Sequence, residues 1–260
     1  MSTVTNITEA DIRPLRRLNL IAGFLHAASL TAVLALANSF SLPVTSTYSL
    51  EGPGKGFTAP ALLFNLRIAF AIAAFFGLSA AFHFIVASPK FFPRYAASLM
   101  AGRNIFRWVE YSLSSSIMII LIAQLNGISE IAALMAIFGV NVSMILFGWL
   151  QEKYTTPGDG DVLPFAFGCI AGVVPWLIVV LKLIAPNDPS GNVIPGFVYG
   201  IVVSLFVLFN CFALVQWKQY RAKGKWANYL LGERTYIVLS LVAKSLLAWQ
   251  IFASTLAAKG

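Results

Sequence analysis

The sequence predicts an all-α membrane protein in which a single domain, residues 1–260, crosses the bilayer seven times. Of the 260 residues, 58% are hydrophobic and 11% are charged, whereas a soluble domain has about 45–50% apolar and about 25% charged residues. The apolar residues form seven runs, each long enough for a transmembrane helix of roughly 20 residues. No linker between the runs is long enough to separate a second domain.

Helix-breaking residues separate the predicted spans. The spans cover residues 18–38, 61–87, 104–125, 131–150, 163–185, 195–217 and 234–257. The breakers between them are Gly52-Pro53-Gly54, Ser88-Pro89, Pro157-Gly158, Pro186 to Pro189 and Gly224.

The first run resembles a signal peptide, because arginines precede it and Ala35-Leu36-Ala37 ends it. It is longer than a signal core of about 7–15 residues, so an uncleaved first helix is expected.

The positive charges predict the orientation in the membrane. The formal charge is +8, but the basic residues lie in short loops between apolar runs, which favours a membrane surface over nucleic acid. Most of them lie at the helix ends that share a side with the N-terminus. Because cytoplasmic loops retain Lys and Arg, the N-terminus is expected inside and the C-terminus outside.

The longest outer connection, residues 39–60, is expected to form a β-hairpin. Polar and apolar residues alternate from Val44 to Leu50, and a turn follows at residues 51–54. An isolated hairpin is marginally stable, so it is expected to lie on the outer surface or against a second subunit. A disordered loop is the alternative.

Two ionisable residues of opposite sign, Lys244 and Glu110, lie within predicted spans. Lys244 is ten residues into the seventh span, about 15 Å deep at about 1.5 Å per residue. A cation there costs about 2.5–3.5 kcal/mol and is normally paired and functional. The pair could simply fix helix packing. Alternatively, Lys244 is a desolvated nucleophile that forms a Schiff base with an aldehyde, and Glu110 is its anion, as the only carboxylate inside a predicted span.

Further polar residues surround this predicted pair. Arg107 precedes Glu110 by three residues, on about the same helix face, and either keeps Glu110 ionised or extends to the interface. The residues that continue the polar faces are Tyr111, Ser114 to Ser116, and Ser240. His26 and His83 are predicted in the same half as Arg107, which indicates a polar cytoplasmic cavity. The outer half shows no polar path, which disfavours a pump or channel.

Three segments resemble the heliorhodopsin family: RWVEYSLSSS at residues 107–116, NVSMILFGWLQEKY at 141–154 and LSLVAK at 239–244. The resemblance extends over nearly the whole chain. It implies a seven-helix rhodopsin fold, all-trans retinal on Lys244, Glu110 as the Schiff-base counterion, a cytoplasmic N-terminus and a homodimer in the lipid bilayer.

The resemblance also implies the surroundings of the retinal. The pocket would include Asn141, Met144, Gly148, Trp176, Phe206 and Phe209, with Tyr111, Ser114 and Ser240 in support. A proton-accepting cavity would contain His26, His83 and Arg107. Trp249 is a further aromatic candidate near the midplane. Ala166 departs from the large aromatic residue of some members, which affects the expected pocket shape.

Family members are regarded as light sensors that signal to a partner, which the sequence does not identify. Proton-pumping rhodopsins carry further carboxylates where this chain has Ser240 and Leu121, so a light-driven transporter or channel is the alternative. A membrane enzyme or scaffold is more distant. The chain has no H-E-x-x-H motif and no phosphate loop, so neither enzymatic activity nor a metal is expected.

Overall fold

The computed structural model describes residues 7–52, 54–184 and 196–257, and these form a bundle of long helices. The helices are α1 (Glu9–Ala35), α2 (Ile68–Ala87), α3 (Phe92–Met100), α4 (Ile105–Leu125), α5 (Ile131–Tyr154), α6 (Leu163–Ile184), α7 (Gly196–Arg221) and α8 (Tyr229–Ala257). Among the described residues, seven helices, all except α3, are long and apolar enough to cross a membrane. The predicted seven-helix membrane bundle is confirmed.

Several helix ends differ from the predicted ones. Helix α1 begins at Glu9, well before residue 18, where the Asp11 carboxylate accepts a hydrogen bond from the Thr8 backbone N–H at 3.0 Å. Helix α5 continues to Tyr154, and α8 begins at Tyr229. The extension of α1 brings Glu9 and Asp11 into a helix, and those of α5 and α8 bring in Glu152 and Glu233. Pro53, Pro186 to Pro189 and the predicted start of the sixth span at residue 195 lie outside the described residues.

The second predicted span began too early. Residues 61–67 form strand β2 (Ala61–Arg67), which pairs antiparallel with β1 (Ser41–Ser46). The hairpin therefore extends beyond residues 39–60. Its first strand is held to the bundle, because the Thr45 N–H donates to the Ser129 carbonyl at 2.8 Å. Leu62, Leu63 and Phe64 remain exposed.

Neighbouring helices enclose one core. Helix α1 packs on α2 and α8, α2 on α4, α4 on α5, α5 on α6, and α7 on α8, whereas α6 and α7 touch less. Short α3 buries Phe92 and Leu99 in a cluster with Ile12 of α1. We call the end where α1, α4, α6 and α8 begin the basic end, because most Lys and Arg residues lie there, and the opposite end the hairpin end.

Candidate functional site

Lys244 of α8 and Glu110 of α4 form a buried ion pair in the middle of the bundle. Lys244 Nζ lies 2.6 Å from Glu110 Oε1 and 2.7 Å from Ser79 Oγ. Ser79, on α2, also lies 2.7 Å from Glu110 Oε1. All three side chains are buried. Breaking such a pair leaves an uncompensated charge, so each partner depends strongly on the other.

Ser79 was not predicted as a site residue. It is one serine in an apolar run, and serines in membrane helices most often bond their own backbone. Its hydroxyl does lie 2.9 Å from the Phe75 carbonyl. Only the packing of α2 against α4 and α8 brings the same hydroxyl to the ion pair.

A cavity with an empty volume of about 850 Å³, counting the space at its open side, begins at Lys244. The predicted residues that line it are Tyr111, Ser114, Met144, Gly148, Phe209, Ser240 and Lys244. Trp108, Phe165, Gly168 and Phe212 line it as well. Most of its lining is apolar, as is typical of ligand pockets. An elongated apolar molecule with one carbonyl directed to Lys244 fits this lining.

Polar atoms near Lys244 complete the fit. Ser114 Oγ is fully buried and has no hydrogen-bond partner among the described residues. Lys244 Nζ lies 5.2 Å from the centre of the Tyr111 ring, and Tyr111 donates its hydroxyl hydrogen bond to the Tyr236 carbonyl at 3.0 Å. The reactive amine therefore meets one carboxylate, the Ser79 hydroxyl and an aromatic face, while the rest of the cavity is suited to a hydrocarbon.

Glycines bring the cavity walls close together. A Cβ atom at Gly148 would lie 2.6 Å from a ring carbon of Trp108, and one at Gly172 would lie 2.6 Å from Met144 Sδ. Such distances require the neighbour to move. Gly148 therefore permits the close approach of α5 to Trp108 at the cavity wall.

Four predicted pocket residues do not line this cavity. Asn141 lies beside it and donates to Ser115 Oγ and Ser116 Oγ, both at 2.9 Å. Trp176 packs edge-on against Phe206 and against the lining residue Phe209. Trp249 is 39% exposed. Asn141 and Trp176 thus each contact a residue that lines the cavity, whereas Phe206 and Trp249 are partly open to the outside.

Arg107 does not pair with Glu110, and it is buried and does not extend to the interface. Its Nη2 lies 2.7 Å from Glu152 Oε1, and its Nη1 contacts Glu233 Oε1. Arg107, Glu152 and Glu233 are all buried. The prediction that Glu110 is the only carboxylate inside a span is therefore wrong.

Neutral groups complete this buried cluster. Asn104 donates its backbone N–H to Glu152 at 2.8 Å and its side-chain amide to Glu233 at 2.6 Å. Tyr229 donates its hydroxyl to Glu152 at 2.8 Å. Glu152 and Glu233 were missed because the predicted spans ended at residue 150 and began at residue 234. The sequence feature that could have identified both residues is that each carboxylate lies directly at the edge of an apolar run.

A second, polar cavity, with an empty volume of about 400 Å³ that includes the space at its open side, connects Glu110 of the ion pair to the Arg107 cluster. Its polar lining includes Asn19, Ser79, His83, Tyr95, Asn104, Arg107, Glu110 and Glu233. His83 Nδ1 lies 2.7 Å from Asn19 Oδ1. His26 does not line the cavity but stacks on His83, with ring centres 5.5 Å apart. The structure thus places His83 and Arg107 at a shared polar space on the basic side of Lys244.

The hairpin half is apolar by comparison. Ile72, Phe75, Ile119 and Leu121 belong to one buried hydrophobic cluster. Its buried polar exceptions include Gln124, whose amide atoms have no partner among the described residues. In the described ranges, no group of three metal-ligating side chains occurs.

Comparisons with known proteins agree with this fold. The model of the family described as Heliorhodopsin matches residues 15–256. No protein of curated function matches.

Two solved structures are similar in fold. A light-driven proton pump from Leptosphaeria maculans has 14% identity and a TM-score of 0.64, covering 94% of this chain and 95% of that chain. A thermophilic rhodopsin from Rubrobacter xylanophilus has 16% identity and a TM-score of 0.60, covering 92% of this chain and 93% of that chain.

Proposed function

The chain belongs to the heliorhodopsin family, and from this premise we propose that it is a light sensor that binds all-trans retinal covalently at Lys244 with Glu110 as counterion. It is a multi-pass integral membrane protein, and its family is one of light-responsive retinal proteins. The attachment site, the retinal isomer and the sensory output are the proposal.

One observation carries the proposal: the Lys244 amine ends an apolar cavity and lies 2.6 Å from a buried carboxylate. Desolvation favours the neutral, nucleophilic form of a buried amine, which is the form that reacts with an aldehyde. When bound, retinal would supply absorption of visible light and a change of shape on illumination. Glu110 Oε1 would stabilise the positive charge at Lys244 Nζ, and Ser79 would hold that carboxylate in place.

The placement of buried charge supports sensing over pumping. Arg107, Glu152 and Glu233 all lie between the Lys244–Glu110 pair and the basic end. On the other side of the pair, α4 buries Met118, Ile119, Leu121, Ile122 and Ala123. A continuous ion path needs polar lining through both halves. These buried residues of α4 on the hairpin side are apolar and do not supply that lining. The polar acceptors for a proton that leaves Lys244 Nζ lie in the basic half.

Orientation and assembly are part of the proposal. The excess of Lys and Arg at the basic end favours a cytoplasmic N-terminus. The exposed Leu62, Leu63 and Phe64 of β2 give the hairpin an apolar surface, which suits a homodimer. A light-driven transporter is the second candidate, and the observation that favours it is the buried Gln124 amide in the hairpin half, which has no hydrogen-bond partner in the described part of the chain.

The test of attachment is an absorption spectrum of membranes that contain the protein and added retinal. We expect a visible band that hydroxylamine bleaches, because hydroxylamine cleaves a Schiff base. Lys244→Ala should abolish the band. Lys182→Ala is the matched control, since Lys182 is exposed near the end of α6. A normally coloured Lys244→Ala protein would refute the proposal.

A further inference from the structure

Asn19 of α1 determines how His83 can form hydrogen bonds. The Asn19 side chain is buried, and its Nδ2 lies 2.8 Å from the Leu15 carbonyl oxygen. A carbonyl oxygen only accepts hydrogen bonds, so this side of the amide must be the NH2 group. The amide oxygen therefore faces His83 Nδ1, at 2.7 Å. An amide oxygen has no proton to donate, so His83 Nδ1 must carry one.

We propose that Asn19 is a positioning residue that holds neutral His83 as the Nδ1–H tautomer, leaving Nε2 to receive the proton from Lys244 Nζ after illumination. A neutral imidazole carries one ring proton, so with Nδ1 protonated the lone pair is on Nε2. Nε2 has no hydrogen-bond partner among the described residues. This inference rests on the proposed function, because the transferred proton is that of the retinal-bearing nitrogen.

The surroundings of His83 suit this transfer. The ionisable and polar groups that line its cavity are Asn19 from α1, Ser79 from α2, Tyr95 from α3, Asn104 just before α4, Arg107, Glu110 and Tyr111 from α4, and Glu233 and Tyr236 from α8. In the step, the Nζ–H bond breaks, a bond from that proton to Nε2 forms, and the positive charge moves to the imidazole. The new imidazolium would keep its Nδ1–H bond to Asn19 and lie on the same cavity as the Glu110 carboxylate.

His26 provides an internal contrast. It is fully buried and stacks on His83 with 12° between the ring planes. Neither of its ring nitrogens has a partner in the described part of the chain. No hydrogen bond therefore selects a tautomer of His26, whereas one short bond selects that of His83.

Nitrogen-15 NMR of the histidine-labelled full-length chain tests the tautomer directly. The protein contains only 2 histidines, so a His26→Gln variant assigns the signals. At mildly alkaline pH, without retinal, we expect a protonated-type signal for His83 Nδ1 and an unprotonated-type signal for Nε2. Asn19→Leu should reduce the ratio of the Nδ1–H to the Nε2–H tautomer about fivefold, which corresponds to the net value of one hydrogen bond.

Flash spectroscopy of the pigment tests the consequence. Asn19→Leu should slow loss of the Lys244 proton by at most about fivefold, because the fraction of His83 with an unprotonated Nε2 falls by less than the tautomer ratio, and the dark absorption band should be unchanged. Tyr95→Phe is the matched control. It removes the hydroxyl 3.4 Å from Asn19 Nδ2, but the Leu15 carbonyl still orients the amide, so both measurements should match the parent.

Three results would overturn the proposal: an Nε2–H tautomer of His83 in the parent, an unchanged tautomer in Asn19→Leu, or a Tyr95→Phe effect as large as that of Asn19→Leu. If the parent forms no pigment, the proposed function fails. The NMR measurement on the retinal-free chain still decides the tautomer.

Discussion

Replacing Glu110 by Gln removes the only carboxylate within hydrogen-bond distance of Lys244 Nζ among the described residues. Glutamine keeps the size and can still bond to Ser79, so the change is mainly one of charge. Removing one partner of a buried ion pair costs about 3–5 kcal/mol. At about 1.4 kcal/mol per factor of ten, this is roughly a hundred- to several-thousand-fold shift toward loss of the imine proton.

Most of the Glu110→Gln pigment should therefore lack the imine proton near neutral pH and absorb in the near ultraviolet. The assay is a pH titration of the visible band in purified protein, repeated with chloride, which should partly restore the band by occupying the vacated anion site. Glu152→Gln is the control, because Glu152 contacts Arg107 instead, and its visible band should persist. A Glu110→Gln band and titration that match the parent would remove Glu110 from the counterion role.

Further predictions address the cavity, the Arg107 cluster and transport. Gly148→Ala should lower pigment yield or shift the absorption maximum, because the added Cβ would lie 2.6 Å from Trp108. The control is Gly139→Ala on the same helix, whose Cβ would meet nothing within 4 Å, so its spectrum should be unchanged. Arg107→Gln should destabilise the protein by about 3–5 kcal/mol, since two buried carboxylates lose their cation. Thermal unfolding should show this loss of stability. Arg103→Gln, which alters an exposed residue, should unfold at nearly the same temperature as the parent. Illuminated cells should show no uncoupler-sensitive pH change, and such a change would favour the transporter.

The sequence alone was sufficient to predict the seven-helix bundle and the family. A span must be apolar over about 20 residues, because backbone polar groups in lipid require internal hydrogen bonds. That constraint is local and can be counted along the chain. A lysine in the middle of such a run is equally visible, because its desolvation cost makes it exceptional.

Residues 61–67 show where local reasoning failed. Their sequence, ALLFNLR, continues directly into the apolar run of α2, and hydropathy does not distinguish an exposed apolar strand from a helical turn. Pairing with Ser41–Ser46 is a contact between distant segments. It decided that this stretch is a strand and that the helix begins at Ile68.

Only the tertiary structure decided which partners the polar side chains have. Arg107 lies three residues before Glu110, yet it binds Glu152 and Glu233, which are 45 and 126 residues away in the chain. Asn19 and His83 are likewise 64 residues apart. The composition of a run establishes that a helix spans the membrane, but its partners depend on helix rotation and depth. Packing between helices sets both, and no local pattern records them.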